Sequence, residues 1–161
     1  AATSGARLIA PRGPAPRRPM YLLETNIVSE LFAPLPNAAV LAWLGAQSDD
    51  NLAISAVTVG ELQRGAELIR AHKPDRASAI DRWIAQVRAR YNALPMDADA
   101  FVVWAKLMFG RDARLVLDAM IAAIAVTNGL TVATRNVRNF KALGAKTYNP
   151  FDPRGQDGRT A

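Results

Sequence analysis

The fold is decided by residues 20–32, which read MYLLETNIVSELF. The run Met20–Leu23 is short and apolar, and Glu24 follows it directly, ahead of a helical pattern over Asn26–Phe32. A short apolar run that ends at polar residues is typical of a buried strand. The stretch therefore predicts a strand that leads into a helix, with an acid at the point where the strand ends.

The same alternation of strand and helix continues along the chain. Further strands are predicted at Leu52–Ile54, Leu94–Met96, Leu130–Ala133 and Lys146–Tyr148. Further helices are predicted over residues 38–46, 58–71, 75–90, 97–109, 116–128 and 137–143, with caps at Asn37, Asp75, Asp97 and Gly129. This order predicts an α/β fold: a single-domain α/β/α sandwich whose central sheet has four or five short, mainly parallel strands flanked by helices.

The composition limits the chemistry that the chain can perform. Its 161 residues are half hydrophobic, which suffices for one domain with a substantial core. The sequence has no cysteine, which excludes disulfides, a thiolate nucleophile and a cysteine zinc site. Its one histidine, His72, lies beside Lys73 at a predicted helix end, and we assign it no function. Acids, amides, hydroxyls and basic side chains must carry any reaction.

The positive charge is concentrated at the N-terminus. The formal net charge is +6, but residues 1–19 hold four arginines and no acid, which leaves 16 basic and 14 acidic residues in the rest. The pI near 10.3 is therefore weak evidence for binding of nucleic acid. The sequence has no apolar run of membrane-spanning length and no signal-peptide pattern, so we expect a cytoplasmic protein without a membrane partner.

The two ends of the chain differ in composition from its middle. Residues 1–19 are rich in Pro, Arg, Gly and Ala, and are interpreted as a disordered basic tail, an over-called translation start or a cloning remnant. Met20 is the natural start under that interpretation. We expect the folded domain to cover residues 20–151, and residues 152–161 to form a loose polar tail.

Acids and amides follow the predicted strands or open the predicted helices. The four that recur in this setting are Glu24, Glu61, Asp118 and Asn136. The carboxyl ends of strands are where an α/β fold builds its sites. Carboxylates gathered in one place repel one another, and a hard cation such as Mg²⁺ or Mn²⁺ relieves the repulsion. The pattern therefore predicts a metal-dependent hydrolase of phosphodiesters.

Each acid also has a purely structural interpretation. Glu24 suits the dipole at a helix start, and Glu61 can close a capping box with Thr58. Asp118 can cap the most apolar helix of the chain. A helix that apolar is expected to be buried, however, and a buried carboxylate needs a partner, which a metal would supply. Asp97 is expected mainly as a cap.

Polar residues also follow the strand that ends at Ala133. The hydroxyl of Thr134 and the amide of Asn136 can orient water or a phosphate oxygen, and Arg135 can hold a phosphate. The structural alternative is an ordinary strand-to-helix turn. The three tryptophans lie in apolar helical patterns and are expected to pack in the core rather than stack on bases: Trp43, Trp83 and Trp104.

Five runs, taken together and in order, identify a family resemblance. They are Leu22–Glu30, Ile54–Leu62, Asp118–Ala123, Thr134–Phe140 and Asn149–Phe151. Each run alone is a weak signal. As a set they resemble PIN-domain ribonucleases of the VapC type, in the branch that includes the FitB toxins, over roughly residues 20–151.

The resemblance implies a function and a set of partners. It implies the toxin of a type II toxin–antitoxin system, with an acidic pocket that binds Mg²⁺ or Mn²⁺ and cleaves RNA (tRNA, rRNA or mRNA). It implies a cognate antitoxin that blocks the pocket and, together with the toxin, represses their operon, so that operator DNA is contacted only through the antitoxin. The implied assembly is a homodimer, or a heterotetramer or hetero-octamer with the antitoxin.

The resemblance carries over position by position. Glu24 stands at the first acidic position, where the family normally has Asp; Glu61 stands at the second, Asp118 at the third and Asn136 at the fourth. Asn139 stands where many relatives have Asp.

These positions imply roles in catalysis. Glu24 and Asp118 are expected to ligate the metal directly, and Glu61 to ligate the metal or its water. Asn136 is expected to position that water or a phosphate oxygen. The residues expected on the substrate side are Thr134, Arg135 and Asn26.

Two departures from the family pattern motivate an alternative. Glu in place of Asp at position 24 adds one methylene, and a misplacement of about 1 Å at a reacting centre can cost on the order of 100-fold in rate. Asn136 and Asn139 are neutral, which lowers the expected metal affinity. The alternative is a catalytically weakened homologue that acts by binding antitoxin and operator DNA. A haloacid-dehalogenase-type phosphotransferase is disfavoured, because it needs a second Asp where Asn26 stands.

Overall fold

Five short strands form one parallel sheet in the computed structural model, which describes residues 20–154. The strands are β1 (Tyr21–Leu23), β2 (Leu52–Ser55), β3 (Asn92–Leu94), β4 (Thr131–Ala133) and β5 (Thr147–Tyr148). Their order in the sheet is β3-β2-β1-β4-β5. The predictions made for residues 1–19 and 155–161 concern segments outside the described residues.

Seven helices connect and cover the strands within residues 20–154. They are α1 (Thr25–Glu30), α2 (Ala38–Ala46), α3 (Ala56–Arg70), α4 (Pro74–Arg90), α5 (Ala98–Met108), α6 (Val116–Asn128) and α7 (Val137–Ala142). Short 3-10 turns precede β2 at Asp49–Asn51 and α6 at Ala113–Leu115. In this part of the chain, each helix is too short or too polar to cross a bilayer.

The helices lie in two layers on opposite faces of the sheet. Leu22 of β1 belongs to a core shared with α5, α6 and α7, whereas its neighbour Leu23 belongs to a core shared with α1, α2, α3 and α4. Successive side chains of a strand point to opposite faces, so a strand that is apolar at every position buries both of its faces. The predicted α/β/α sandwich with a parallel sheet is thus confirmed.

The interior helix α6 explains the most apolar stretch of the sequence. Its residues Ala119 and Ile121–Ala125 are buried. Gly129 ends the helix with φ 68°, and its N–H donates to the carbonyls of Ala125 and Val126. A left-handed residue in this position favours glycine, so the predicted helix end is confirmed. Trp104 packs against this core and donates its Nε1–H to the Val116 carbonyl at 3.3 Å.

The other two tryptophans pack as predicted on the opposite layer. Trp43 and Trp83 are partly buried against the core that contains α1 to α4. Trp43 stacks on Tyr148, with ring centroids 5.3 Å apart, and Trp83 lies 5.0 Å from the ring of Phe32. Their rings therefore fill space between helices and the sheet.

Among the caps considered at the helix starts, Asn37 and Asp97 are confirmed, whereas Asp75 and Asp118 are not caps. Asn37 accepts from the backbone of α2, and Asp97 accepts from the Ala100 N–H at 2.9 Å. Asp75 does not cap α4, because the helix begins one residue earlier at Pro74, and proline is favoured in the first helical turn. Asp118 lies within the first turn of α6 and does not cap it.

The third strand and the start of α3 also differ from the prediction. The strand is Asn92–Leu94 rather than Leu94–Met96, since Asn92 pairs with Ala53 of β2. Helix α3 begins at Ala56 instead of Thr58. Its cap is Ser55, whose Oγ accepts from the Thr58 N–H at 2.9 Å, so the capping box predicted between Thr58 and Glu61 is wrong.

Candidate active site

The candidate site lies where the order of strands along the chain reverses. From β1 the chain builds the sheet in one direction, through β2 to β3. The later strands β4 and β5 lie on the other side of β1, so the direction changes between β1 and β4. In an open parallel sheet, the crevice outside the carboxyl ends of two such strands is the usual place for a ligand. Glu24 directly follows β1, and Thr134 directly follows β4.

Glu24 is a buried carboxylate in this crevice. Its side chain is held by two donors to Oε2, the Thr134 hydroxyl at 3.2 Å and the Asn26 backbone N–H at 3.4 Å. Burial, with a smaller contribution from the charges of Glu61 and Asp118, raises the pKa of Glu24 to about 7, against the effect of both hydrogen bonds. The three acids are therefore near enough to interact electrostatically, as their positions at strand and helix ends predicted.

Glu61 reaches the site from α3. One of its carboxylate oxygens accepts a hydrogen bond from the Thr25 hydroxyl, which belongs to the residue after Glu24. The Thr25 hydroxyl oxygen in turn lies 3.4 Å from that of Thr58, one turn before Glu61 on α3. The side chain of Glu61 is thus directed at the end of β1 and not back to the start of its own helix.

Asp118 reaches the site from the first turn of α6 and is held by amides from α7. Its Oδ2 accepts from the Asn139 side-chain amide at 3.0 Å and from that of Asn136 at 3.3 Å. The Asn136 backbone N–H donates to the Thr134 hydroxyl oxygen at 2.8 Å. These contacts bring together Asp118 and the turn after β4, which carries Thr134 and Asn136.

Arg135 lies at the rim of the site, and its conformation is held by three other residues. Its backbone N–H donates to Asn26 Oδ1 at 3.2 Å, and its guanidinium donates to Glu30 at 3.4 Å. The guanidinium also lies over the ring of Phe151, with its central carbon 3.9 Å from the ring centroid. The Arg135 side chain remains 60% exposed, so a phosphate can still reach it.

Glu30 and Phe151 were not predicted as site residues. Glu30 lies four positions after Asn26 on the same helix face, and that spacing was a usable signal. Its Oε2 accepts from the Asn37 N–H at 2.6 Å, which ties α1 to the start of α2. Phe151 belongs to the run Asn149–Phe151 that contributes to the family resemblance, but nothing in that run indicates its contact with Arg135.

The donor set suits a hard divalent cation. Carboxylate and amide oxygens are the ligands that Mg²⁺ and Mn²⁺ prefer. A cation would also remove the repulsion that helps to raise the pKa of Glu24. Within residues 20–154, no three acidic or histidine side chains are grouped closely enough to enclose a metal as they stand. The residues therefore fit a metal chemically, and the carboxylates must draw together to hold one.

Several acids outside the crevice have local structural partners. Asp97 caps α5, Asp49 pairs with Arg90, and Asp112 pairs with Arg114. The Arg114 guanidinium lowers the pKa of Asp112. These acids are accounted for by caps and surface ion pairs.

The fold and this site together define a small α/β/α protein with acidic side chains gathered at the carboxyl ends of a parallel sheet. The PIN domain family matches residues 21–146. This match covers more than half of the chain, and the chain therefore belongs to the PIN-domain family.

Related proteins that match nearly end to end carry toxin and ribonuclease names. The chain is 39% identical over 140 residues to the VapC ribonuclease Y4jK of Sinorhizobium fredii, covering 83% of this chain and 99% of the relative. It is 37% identical over 139 residues to the plasmid stability protein StbB of Pseudomonas syringae pv. tomato, with the same coverage. It is 32% identical over 139 residues to toxin FitB of Neisseria gonorrhoeae, covering 82% of this chain and 99% of FitB.

Solved structures give the same picture of the fold. The structure of FitAcB from Neisseria gonorrhoeae matches with a TM-score of 0.70 at 30% identity, over 82% of this chain and 99% of that one. The structure of FitAB bound to an IR36 DNA fragment matches with a TM-score of 0.69 at 30% identity, over 82% and 96%. The resemblance noted in the sequence to the VapC and FitB branch of the family is therefore confirmed.

Proposed function

We propose that this chain is the toxin of a type II toxin–antitoxin pair, and that it is an endoribonuclease that depends on Mg²⁺ or Mn²⁺. The observation that carries the proposal is the convergence of three acids at the carboxyl ends of β1 and β4, each held there by hydrogen bonds: Glu24, Glu61 and Asp118. The names of the relatives, which include a VapC ribonuclease and toxin FitB, support both the toxin role and the ribonuclease activity.

The acids are proposed to hold the ion. Glu24 and Asp118 would bind it directly, and Glu61 would bind it or one of its waters. A bound ion of this kind lowers the pKa of water and offsets charge on a phosphate. Because the pKa of Glu24 in the metal-free protein is about 7, a cation would compete with a proton for that carboxyl at neutral pH.

The neighbouring polar residues are proposed to handle the RNA. Thr134 and Asn136 orient a water or a phosphate oxygen, and Arg135 offsets charge on the phosphate at the cleaved bond. Asn26 accepts from the Arg135 backbone and so fixes the turn that carries the guanidinium. Because water and not the ribose 2′-hydroxyl attacks, the products carry 5′-phosphate and 3′-hydroxyl ends.

The partners are proposed from the relatives. The neighbouring structures contain FitA together with FitB, and one of them contains DNA. We infer a cognate antitoxin that covers the acidic crevice, contact with operator DNA only through that antitoxin, and a dimeric toxin within the complex. We expect the activity in the cytoplasm, where such RNA substrates are found.

A second function is favoured by the hydrogen bonds of Asp118. Asn136 and Asn139 both donate to Oδ2 of this carboxylate, and that arrangement satisfies it without a metal. With Glu at position 24 as well, the chain can instead be a weakened nuclease that acts through its antitoxin and operator DNA. This alternative predicts tight antitoxin binding with little metal-dependent cleavage.

The test is cleavage of a mixed tRNA and rRNA pool by the parent chain and by Asp118→Ala, each with Mg²⁺ or Mn²⁺. Asp112→Ala is the matched control, because Asp112 pairs with Arg114 on the surface. We expect the control to cleave like the parent and Asp118→Ala to lose cleavage while it keeps its helical circular dichroism. Equal cleavage by the folded Asp118→Ala variant would remove Asp118 from the mechanism.

A further inference from the structure

Three hydroxyl side chains connect the start of α3 to a carboxylate of the site. Ser55 Oγ donates to Thr58 Oγ1 at 3.0 Å, and both side chains are fully buried. The hydroxyl oxygens of Thr58 and Thr25 are 3.4 Å apart, and Thr25 donates to Oε2 of Glu61. We call Ser55, Thr58 and Thr25 the hydroxyl chain.

The direction of the hydroxyl chain follows from the number of protons. An ionised carboxylate only accepts, so the single hydroxyl proton of Thr25 is used on Glu61. Ser55 uses its own proton on Thr58 and accepts the Thr58 backbone N–H. The Thr58 hydroxyl therefore donates its proton to the Thr25 hydroxyl oxygen. Each hydroxyl of the hydroxyl chain then donates once, and its last acceptor is Glu61.

Capping of α3 accounts for only part of this arrangement. A cap needs the Ser55 oxygen and the Thr58 N–H, and it needs no hydroxyl on Thr58 or Thr25. Valine has the same shape as threonine and would fill both places without burying a polar group. Because the Thr58 hydroxyl is buried and lies between Ser55 and Thr25, the positioning of Thr25 explains a hydroxyl at position 58.

We propose that Thr25 is a positioning residue for Glu61, and that Ser55 and Thr58 fix the direction in which Thr25 donates. Thr25 holds Glu61 by Oε2, which leaves Oε1 for the ion or its water. This inference rests on the proposed function, in which Glu61 serves a divalent metal. Groups that orient a metal ligand in this way set the metal affinity of a site.

The first experiment measures Mn²⁺ affinity by titration of the free ion in the parent, Thr25→Val and Thr25→Ser. We expect Thr25→Val to bind Mn²⁺ about 10- to 100-fold more weakly, as is typical when a group that orients a ligand is removed. Thr25→Ser keeps the hydroxyl and is expected to bind like the parent. In RNA cleavage, the valine variant is expected to lower kcat with little change in KM. Parent-like Mn²⁺ affinity of Thr25→Val would overturn the inference.

A double-mutant cycle separates positioning from a general structural effect. If Thr25 acts only through Glu61, Thr25→Val has no further effect on Mn²⁺ affinity in a Glu61→Gln background. An equal additional loss in that background would show a role apart from Glu61 and contradict the inference. Thr58→Val removes the middle of the hydroxyl chain, and we expect a smaller loss in the same direction.

A measurement on the metal-free protein keeps this inference separate from the proposed function. The carbon-13 shift of the Glu61 carboxyl, measured at pH 8, is expected to move in Thr25→Val and to return in Thr25→Ser. An unchanged shift would overturn the contact between Thr25 and Glu61, even in a protein that binds metal. The carboxyl shift could differ between the parent and Thr25→Val although the parent neither binds Mn²⁺ nor cleaves RNA. That result would overturn the proposed function and, with it, the role of Thr25 toward a metal.

Discussion

The Thr134 hydroxyl donates to Oε2 of Glu24 at 3.2 Å, across a separation of 110 residues in the sequence. The contact is a direct result of strand pairing, because Leu23 pairs with Ala133 and the next residue of each strand enters the same crevice. The position of the first acid of the site is thus set by the sheet. This hydrogen bond satisfies Glu24 only partly, since burial still raises its pKa to about 7.

Glu24→Gln is expected to stabilise the metal-free protein at neutral and higher pH. The folded-state pKa of about 7 lies above the ordinary value of 4.5, so the folded state binds the proton more tightly than the unfolded state between those two pH values. The contribution of Glu24 to the free energy of unfolding is therefore most favourable below pH 4.5, and it is lost as the pH rises to 7. The difference in unfolding free energy between variant and parent should grow from near zero at pH 4.5 to about 3 kcal/mol at pH 8.

Urea unfolding of both proteins at pH 4.5 and pH 8, in EDTA, measures that difference. The side-chain oxygen of the substituted glutamine can still accept from the Thr134 hydroxyl and from the Asn26 N–H, so the variant keeps both hydrogen bonds. An equal difference in unfolding free energy at both pH values would show that the pKa of the Glu24 carboxyl is not raised in the folded protein.

Asn139→Asp is expected to strengthen metal binding and to weaken the metal-free fold. The Asn139 amide donates to Asp118 at 3.0 Å, and an aspartate there removes a donor and adds a second negative charge. Sites with more carboxylates bind divalent cations more tightly. Mn²⁺ titration and thermal unfolding with and without metal test both effects. Weaker Mn²⁺ binding by the variant would exclude position 139 from the metal site.

Phe140→Ala tests whether α7 is anchored as described. Phe140 is fully buried in the core beneath α7, the helix that begins beside Asn136 and carries Asn139. Loss of a buried phenylalanine costs about 3–5 kcal/mol of unfolding free energy. The matched control is Phe109→Ala, because Phe109 is 91% exposed and its loss should change stability by less than about 0.5 kcal/mol. Similar losses in both variants, measured by urea unfolding, would contradict this packing.

The layers of the fold could be predicted from the sequence because its strands are apolar on both faces. Leu22 and Leu23 are adjacent and both fully buried, as expected for a short strand that lies between two helical layers. The prediction placed the edge strand β3 two residues too late, because this strand is not apolar on both faces. Asn92 and Ala93 are exposed in β3, so their positions do not show the apolar pattern of a buried strand. The apolar residue Met96 led to a predicted strand further along the chain.

The start of α3 could not be decided locally. Ser55 and Thr58 are both good caps, and Thr58 is followed three residues later by Glu61, which can complete a capping box. The pairing of Ser55 with Leu94 extends β2 and selects Ser55 as the cap. Thr58 is then free to join the hydroxyl chain, and Glu61 is directed to the site. The pairing of β2 with β3 therefore determines where α3 begins, which the local sequence does not.

Glu24→Asp separates an active toxin from a weakened one. The shorter side chain restores the residue that the family resemblance implies at the first acidic position. If the longer glutamate still reaches the ion, RNA cleavage by the two proteins should agree within about tenfold, which is less than the loss of about 100-fold that a 1 Å misplacement can cause. A silent parent with an active aspartate variant, in the tRNA and rRNA cleavage assay, would establish the weakened homologue instead.

A metal-dependent site at Glu24, Glu61 and Asp118 is tested by end-group analysis of RNA cut by the EDTA-stripped parent chain, before and after Mn²⁺ is restored. No cleavage is expected in EDTA, and with Mn²⁺ the products are expected to carry 5′-phosphate and 3′-hydroxyl ends. Cleavage that persists in EDTA and leaves cyclic phosphates would contradict a metal-dependent site at Glu24, Glu61 and Asp118.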